Sequence, residues 1–391
     1  MKKVAQFIFM FSVFLVLIEI AIAYFFVKET DNFPYRHSLI NSKHTTAINK
    51  LLEKEASSNV ASDWTIPVVE KITYDPVLGW VTPGVRGTRA YDLSPPQGKI
   101  RISAFGDSFT YGGGVNNDNS WVEQINLSEK GYEVLNFGVL GYGLDQAYLR
   151  YIKEGISAGS HIVFIGYMSE NIERHVNAFR PFYNEDGGIP LGKPRFKLIN
   201  NELSLQENFF GDPSDYAKLI NSPNSVLASL GEYDFHYQMR GGIDLLDNFF
   251  IVRLIRHNLK YIKVRRSIYK NHQYNPNSKA YKITEKIFDI FHQKVLDKGS
   301  IPIILLFPDN RAIKYFSEEK KIIYSLLIEH FEAKGYKYID MLKAFKPFEG
   351  KYSQDELCPN HYTVEGNKIV ADFIVSTLNK KPSQGHLNKS E

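Results

Sequence analysis

From Lys99 onward, apolar stretches of strand length alternate with stretches of helical period, and this alternation constrains the fold more than any other feature. Ile100, Ile102 and Ala104 alternate with polar neighbours up to Phe105-Gly106, which reads as a strand. Asn119-Ser120 opens a helix carrying Trp121, Val122 and Ile125. Tyr132 to Phe137 predicts a second strand. A helix over Leu144 to Ile156 follows, with Ala147, Tyr148 and Tyr151 at helical intervals and Gly159 as its stop. His161 to Ile165 is continuously apolar, as a buried parallel strand should be. The pattern pauses near Phe182 and resumes at about Ser278 with a helix through Ile283, Ile287, Ile290, Phe291 and Val295. A strand at Ile301 to Phe307, a helix at Ile322 to Phe331, a short strand at Tyr336 to Ile339 and a closing helix at Val364 to Leu378 complete it. The expected class is α/β: a parallel sheet covered on both faces, with right-handed crossovers. Ligands in that architecture bind at the carboxyl ends of the strands.

The first residues impose a second constraint. Behind Lys2-Lys3, the run from Val4 to Val27 is almost wholly apolar, longer than the ~20 residues that span hydrocarbon as a helix. Two readings stand: an uncleaved signal anchor over residues 1–27, and a signal cleaved after Ala21-Ile22-Ala23. The apolar run continues through Tyr24-Phe25-Phe26-Val27, as an anchor's does. Glu19 interrupts it near its outer end, where a carboxylate reaches headgroups or a partner. The two lysines place the N-terminus in the cytoplasm and the rest of the chain on the extracytoplasmic side.

Composition narrows the chemistry. A net charge of +4 does not argue for nucleic acid. The single cysteine, Cys358, excludes an intramolecular disulfide framework and a multi-cysteine zinc site. No His-Glu-x-x-His pattern occurs, so neither metal nor cofactor is expected. Gly112-Gly113-Gly114 is no phosphate loop, because no Gly-Lys-Ser/Thr follows.

Residues 28–98 read as a stalk and lead-in, polar early and later marked by Pro76, Gly79, Pro83, Gly84, Gly87, Pro95, Pro96 and Gly98. Residues 183–277 read as an insertion in the 99–378 domain, and 379–391 as a polar tail. Within the insertion, Arg253 to Lys270 holds seven Lys or Arg and no acid, interleaved with Leu254, Tyr261, Ile262 and Ile268. That pattern suits either a basic amphipathic helix on anionic headgroups or an acidic glycan, or a helix with a solvated basic face.

Four segments carry candidate chemistry. Phe105-Gly106-Asp107-Ser108-Phe109-Thr110-Tyr111-Gly112 sets a serine directly after the first strand, at the mouth of the sheet. Asn136-Phe137-Gly138-Val139-Leu140-Gly141-Tyr142-Gly143 ends the second strand in glycines that can present bare N–H groups. The third strand ends in Ser169-Glu170-Asn171, which offers an amide side chain. Asn360-His361-Tyr362-Thr363 puts a histidine just before the last helix, where it can serve Ser108 as general base.

Taken in order over residues 99–378, these segments resemble the blocks of the GDSL, or SGNH, hydrolase family. Tyr74-Asp75-Pro76-Val77-Leu78-Gly79-Trp80 also looks like the approach segment of its membrane-tethered, extracytoplasmic members. The resemblance implies a three-layer, flavodoxin-like domain. It implies Ser108 as nucleophile, His361 as base, and Gly141 N–H with Ser108 N–H in an oxyanion hole. Asn171 would complete that hole, although an ungapped match puts Glu170 in its place, and a carboxylate repels an oxyanion. The family's acid lies three residues before the histidine, and here that position is Cys358. Asp355 is the nearest substitute, Asp309 another, and a backbone carbonyl orienting His361 a third. The expected function is a serine esterase or O-acyltransferase working through an acyl-serine, on an acylated surface glycan or a lipid-linked ester. The alternative is a catalytically weak protein of this fold with a glycan-binding or assembly role.

Overall fold

The computed structural model describes residues 2–22, 24, 40–54, 72–82, 98–128, 130–185, 188–242 and 244–380. Five parallel strands form the central sheet: β1 (Ile100–Gly106), β2 (Tyr132–Gly138), β3 (Ile162–Met168), β4 (Ile301–Phe307) and β5 (Tyr338–Asp340). Their order is β2-β1-β3-β4-β5. This is the flavodoxin-like doubly wound order, and its connections diverge between β1 and β3, which opens a crevice at the strand ends there. Every residue of β3 is buried, which explains its unbroken apolar reading.

The labelled helices are α1 (Lys2–Ile22), α2 (Ser108–Tyr111), α3 (Trp121–Leu127), α4 (Leu144–Arg150), α5 (Phe250–Ile268), α6 (Lys279–Asp297), α7 (Ser325–Lys334) and α8 (Val364–Asn379). Because side chains alternate along a strand, the sheet feeds two cores. On one face Phe105, Phe137, Ile165 and Leu306 pack against α4, α6 and α7. On the other, Ile102, Ala104, Val134 and Phe164 meet Trp121 and Ile125 of α3 and Val370 and Ile374 of α8. Helix α6 shows why these sequences form such helices. Ser278 caps its first turn by accepting from Tyr281 N–H at 3.0 Å, and Ile283, Ile287, Phe291 and Val295 recur every fourth residue. Each of these fully buried side chains contributes about 1.5–3 kcal/mol.

The lead-in departs from the stalk reading where it is described. Thr73–Asp75 pairs antiparallel with Gly79–Val81. This hairpin buries Tyr74, Leu78 and Trp80 in a third core with Val139 and Tyr142 beyond β2 and Phe179, Phe210 and Tyr216 further along the chain. A large aromatic residue on each strand makes the hairpin a wall of the domain rather than a tether. The remaining turn residues of the lead-in, Pro83 to Pro96, lie outside the described residues, as do Phe25 to Val27 and the tail from residue 381.

Helix α1 is long and apolar enough to cross a membrane or to act as a signal sequence, and none of its residues is buried.

Candidate active site

Ser108 is the first residue of α2, directly past β1, and is 5 % exposed. Asp107 makes that abrupt change of direction by capping α2, its carboxylate accepting from Phe109 N–H at 2.9 Å. Gly112 closes the turn at φ +77°, a conformation in which only glycine is unstrained. The chain then carries Gly113 and Gly114 beneath the ring of His361.

Ser108 Oγ and His361 Nε2 lie 2.9 Å apart, although 253 residues separate them. Tyr362, next in sequence, fixes the histidine loop: its hydroxyl donates to Pro308 O at 2.9 Å and its ring meets Phe109 edge-on. Burial, reinforced by the nearby charge of Arg174, pushes the His361 imidazole down to about 4, with Glu170 opposing in part. At neutral pH the ring is therefore uncharged and can accept the serine proton.

The fit beneath the ring is tight. A Cβ at Gly113 would stand 2.8 Å from His361 Cδ2 and 3.1 Å from Nε2. Gly113→Ala is therefore expected to push the imidazole off Ser108. Misplacing a reacting group by about 1 Å costs on the order of a hundredfold in rate. Labelling of Ser108 by a fluorophosphonate should slow on that scale while the thermal midpoint shifts little; unchanged labelling would contradict this geometry.

The structure does not bring Asp355 to the histidine. Ser353 caps the Gln354–Leu357 turn, which faces Leu357 inward and leaves Asp355 exposed, accepting from Asn310 Nδ2 at 3.0 Å. Asp309 is spent on capping the next helix, accepting from Ala312 N–H at 2.7 Å. Among the described residues, no carboxylate lies within hydrogen-bonding or ion-pairing distance of His361. Cys358 sits fully buried in the second core, and burial pushes its thiol far up, so it is neither an acid for His361 nor a nucleophile.

Asn171 is 1 % exposed, and its side chain hydrogen-bonds the carboxyl of Asp107, the residue before the serine. Glu170 is near enough for its charge to act on His361. Burial alone would raise its carboxyl, but Arg174, Arg180 and Arg311 outweigh that and hold it below the usual range. Arg174 is central: its Nη2 lies 3.3 Å from Glu170 Oε1 and its Nη1 3.8 Å from Asp107 Oδ2. Gly141 is half-exposed at φ +79°, and its N–H has no hydrogen-bond partner among the described residues. Its carbonyl is taken by Arg180 Nη1 at 3.3 Å, and Trp80 Nε1 pins the preceding carbonyl of Leu140 at 2.9 Å.

Arg174 and Arg180 were not legible as site residues in the sequence. The one available signal was the spacing of Glu170 and Arg174, a pair that can meet on a helical turn.

No protein-family model matches the chain, and no curated protein does. Among solved structures, a lipolytic protein of the G-D-S-L family from Desulfitobacterium hafniense DCB-2 is 12 % identical over 71 % of this chain and 99 % of its own, with a TM-score of 0.37. A member of the same family from Veillonella parvula DSM 2008 is 10 % identical over 72 % and 100 %, at 0.38. A catalytic mutant of the acetylxylan esterase Axe2 from Geobacillus stearothermophilus is 12 % identical over 72 % and 95 %, at 0.37. The sheet is α/β and flavodoxin-like on its own strand order. Scores this low add no weight to it.

Proposed function

We propose that the protein is a serine-dependent acyl-ester enzyme of SGNH type, tethered by α1 with its α/β domain on the extracytoplasmic side. The observation that carries the proposal is the 2.9 Å contact of Ser108 Oγ with His361 Nε2 at the carboxyl ends of parallel strands. Uncharged His361 takes the serine proton as Oγ attacks an ester carbonyl; the alcohol leaves with that proton, and an acyl-Ser108 remains. A second acceptor then attacks the acyl-serine. Water makes the enzyme an esterase, and a sugar hydroxyl makes it an O-acyltransferase. Gly141 N–H, without a hydrogen-bond partner among the described residues, supports an oxyanion-binding role, and the Arg174 guanidinium supports a compensating charge beside Glu170. The substrate class proposed is an acyl ester on a surface glycan or a lipid-linked carrier.

The absence of a carboxylate against His361 among the described residues favours a second reading, in which the fold is kept for binding or assembly and turnover is weak. Labelling of the full-length protein by a fluorophosphonate separates the two: an enzyme is labelled at Ser108, a binding protein is not.

The pH dependence follows from the lowered imidazole. A base with a pKa of about 4 is deprotonated above that value. The labelling rate should hold through pH 5 and fall only near pH 4, rather than near the ~6.5 of an unperturbed histidine. A midpoint near ~6.5 would mean that a carboxylate or open solvent faces His361 after all.

A further inference from the structure

Helix α5, in the insertion, has two faces with different surroundings. Phe250, Arg253, Lys260, Val264 and Ile268 are buried inward. His257, Lys260, Val264 and Arg265 also line a cavity of about 300 Å³ that reaches Glu170, whose charge acts on His361. The outward face is apolar: Ile255, Leu259 and Ile262 are 52 %, 46 % and 42 % exposed and fall on one stripe at intervals of four and three residues. Leu245, Leu246 and Phe249, just before the helix, are exposed at 84 %, 54 % and 51 % and extend the patch. Single exposed apolar residues are ordinary, whereas a continuous patch on a helix and its approach marks an interaction surface.

What covers it is indicated by the start of the helix. Glu19 of α1 caps α5: one carboxylate oxygen accepts from Phe250 N–H and the other from Ile251 N–H at 3.1 Å. Glu19 lies near the last turn of α1. The apolar patch therefore begins where the apolar N-terminal helix ends. The exposed cations Lys263 and Arg266 flank the stripe. The acids around the helix are engaged elsewhere, Asp244 and Asp247 with Arg256, Asp247 also with Arg240, and Glu185 with Lys260. An apolar stripe edged by exposed cations fits the boundary between acyl chains and anionic headgroups.

We infer that α5 is an interfacial helix, its Ile255–Leu259–Ile262 stripe seated in the lipid bilayer beside α1 so that the candidate cleft opens at the membrane surface. This rests on the reading of α1 as a membrane-spanning helix. It gives Glu19 a purpose, since a carboxylate within an apolar span is costly unless paired. It also narrows the substrate class to esters reached from the lipid surface.

The test uses the full-length protein in phosphatidylcholine vesicles containing phosphatidylglycerol. Cys358 is buried, so a cysteine introduced at Ile262 is the accessible thiol for an environment-sensitive fluorophore. Probes at Phe9→Cys in α1 and at Lys298→Cys, by the amino ends of the strands, are the references. The Ile262→Cys probe should emit to the blue of the Lys298→Cys probe and lose most of its intensity when the lipids carry brominated chains. If it behaves like the Lys298→Cys probe while the Phe9→Cys probe is quenched, the interfacial helix is overturned and the spanning helix stands. If neither is quenched, both fall. A blue-shifted Ile262→Cys probe that brominated lipid leaves untouched means that protein covers the face, which also overturns the inference.

Discussion

Ser108→Ala is expected to abolish fluorophosphonate labelling and to lower ester turnover by only about a hundredfold. The labelling result follows from bonding, because the phosphonyl group forms its covalent bond to Oγ. The modest turnover result follows from the missing acid. Removing the serine of a complete triad costs about 10⁶ in kcat, but an imidazole without its oriented carboxylate has already lost about 10⁴. His361 has no such carboxylate among the described residues, so less catalysis remains to be lost. Asp355→Asn serves as the control and should change turnover little, since Asp355 binds Asn310 on the surface. A millionfold fall on Ser108→Ala, or a steep fall on Asp355→Asn, would show that an acid does reach the ring.

Lys193→Met should destabilise the domain by about 3–5 kcal/mol. Lys193 Nζ pairs with Asp145 Oδ2, and both side chains are essentially fully buried, at 1 % and 0 % exposure. Lys193 comes from the insertion and Asp145 from the first turn of α4, so the pair ties the insertion to the loop that carries Gly141. Removing the lysine strands a carboxylate in the interior, and that uncompensated charge is the main cost. Adding Asp145→Asn removes the charge, so the double variant should recover much of the loss. Thermal or denaturant unfolding of both variants measures this. Equal midpoints for wild type and Lys193→Met would mean that the pair is not closed in solution.

The parts legible in the sequence were those written in periodic apolar residues. β1, β2, β4 and α6 emerge within a residue or two of their reading, and β3 runs three residues past its own, because burial on two faces forces continuous or regularly spaced apolar side chains. β5 begins two residues later than its apolar run, at Tyr338. The contact of Ser108 with His361 was legible because motif and topology agreed. The insertion was not, because polar groups hold much of it. Asp234, fully buried, accepts from Asn177 Nδ2 and from the N–H groups of Ala178, His236 and Tyr237. Such a knot leaves no period to read. Its hairpin, Arg195–Ile199 with Glu202–Gln206, turns on Asn200 and Asn201, both at positive φ. Asparagines tolerate that turn without the glycine that would have signalled it. The outward position of Asp355 was not legible for a local reason. One helical turn decides whether a side chain faces the cleft or away from it, and sequence spacing does not carry that angle.

The order of strands along the chain has a consequence for how the molecule forms. β1, β2 and β3 are consecutive and can pair early, but β4, which completes the middle of the sheet beside β3, arrives only after the whole insertion. Contacts so distant in sequence must close long loops before they are rewarded, which slows folding. Until then β3 presents an unpaired edge while α1 is already made. His361 is later still, just ahead of α8. Its contact with Ser108 is therefore among the last to be closed, and covalent labelling at Ser108 doubles as a clock for the completion of folding.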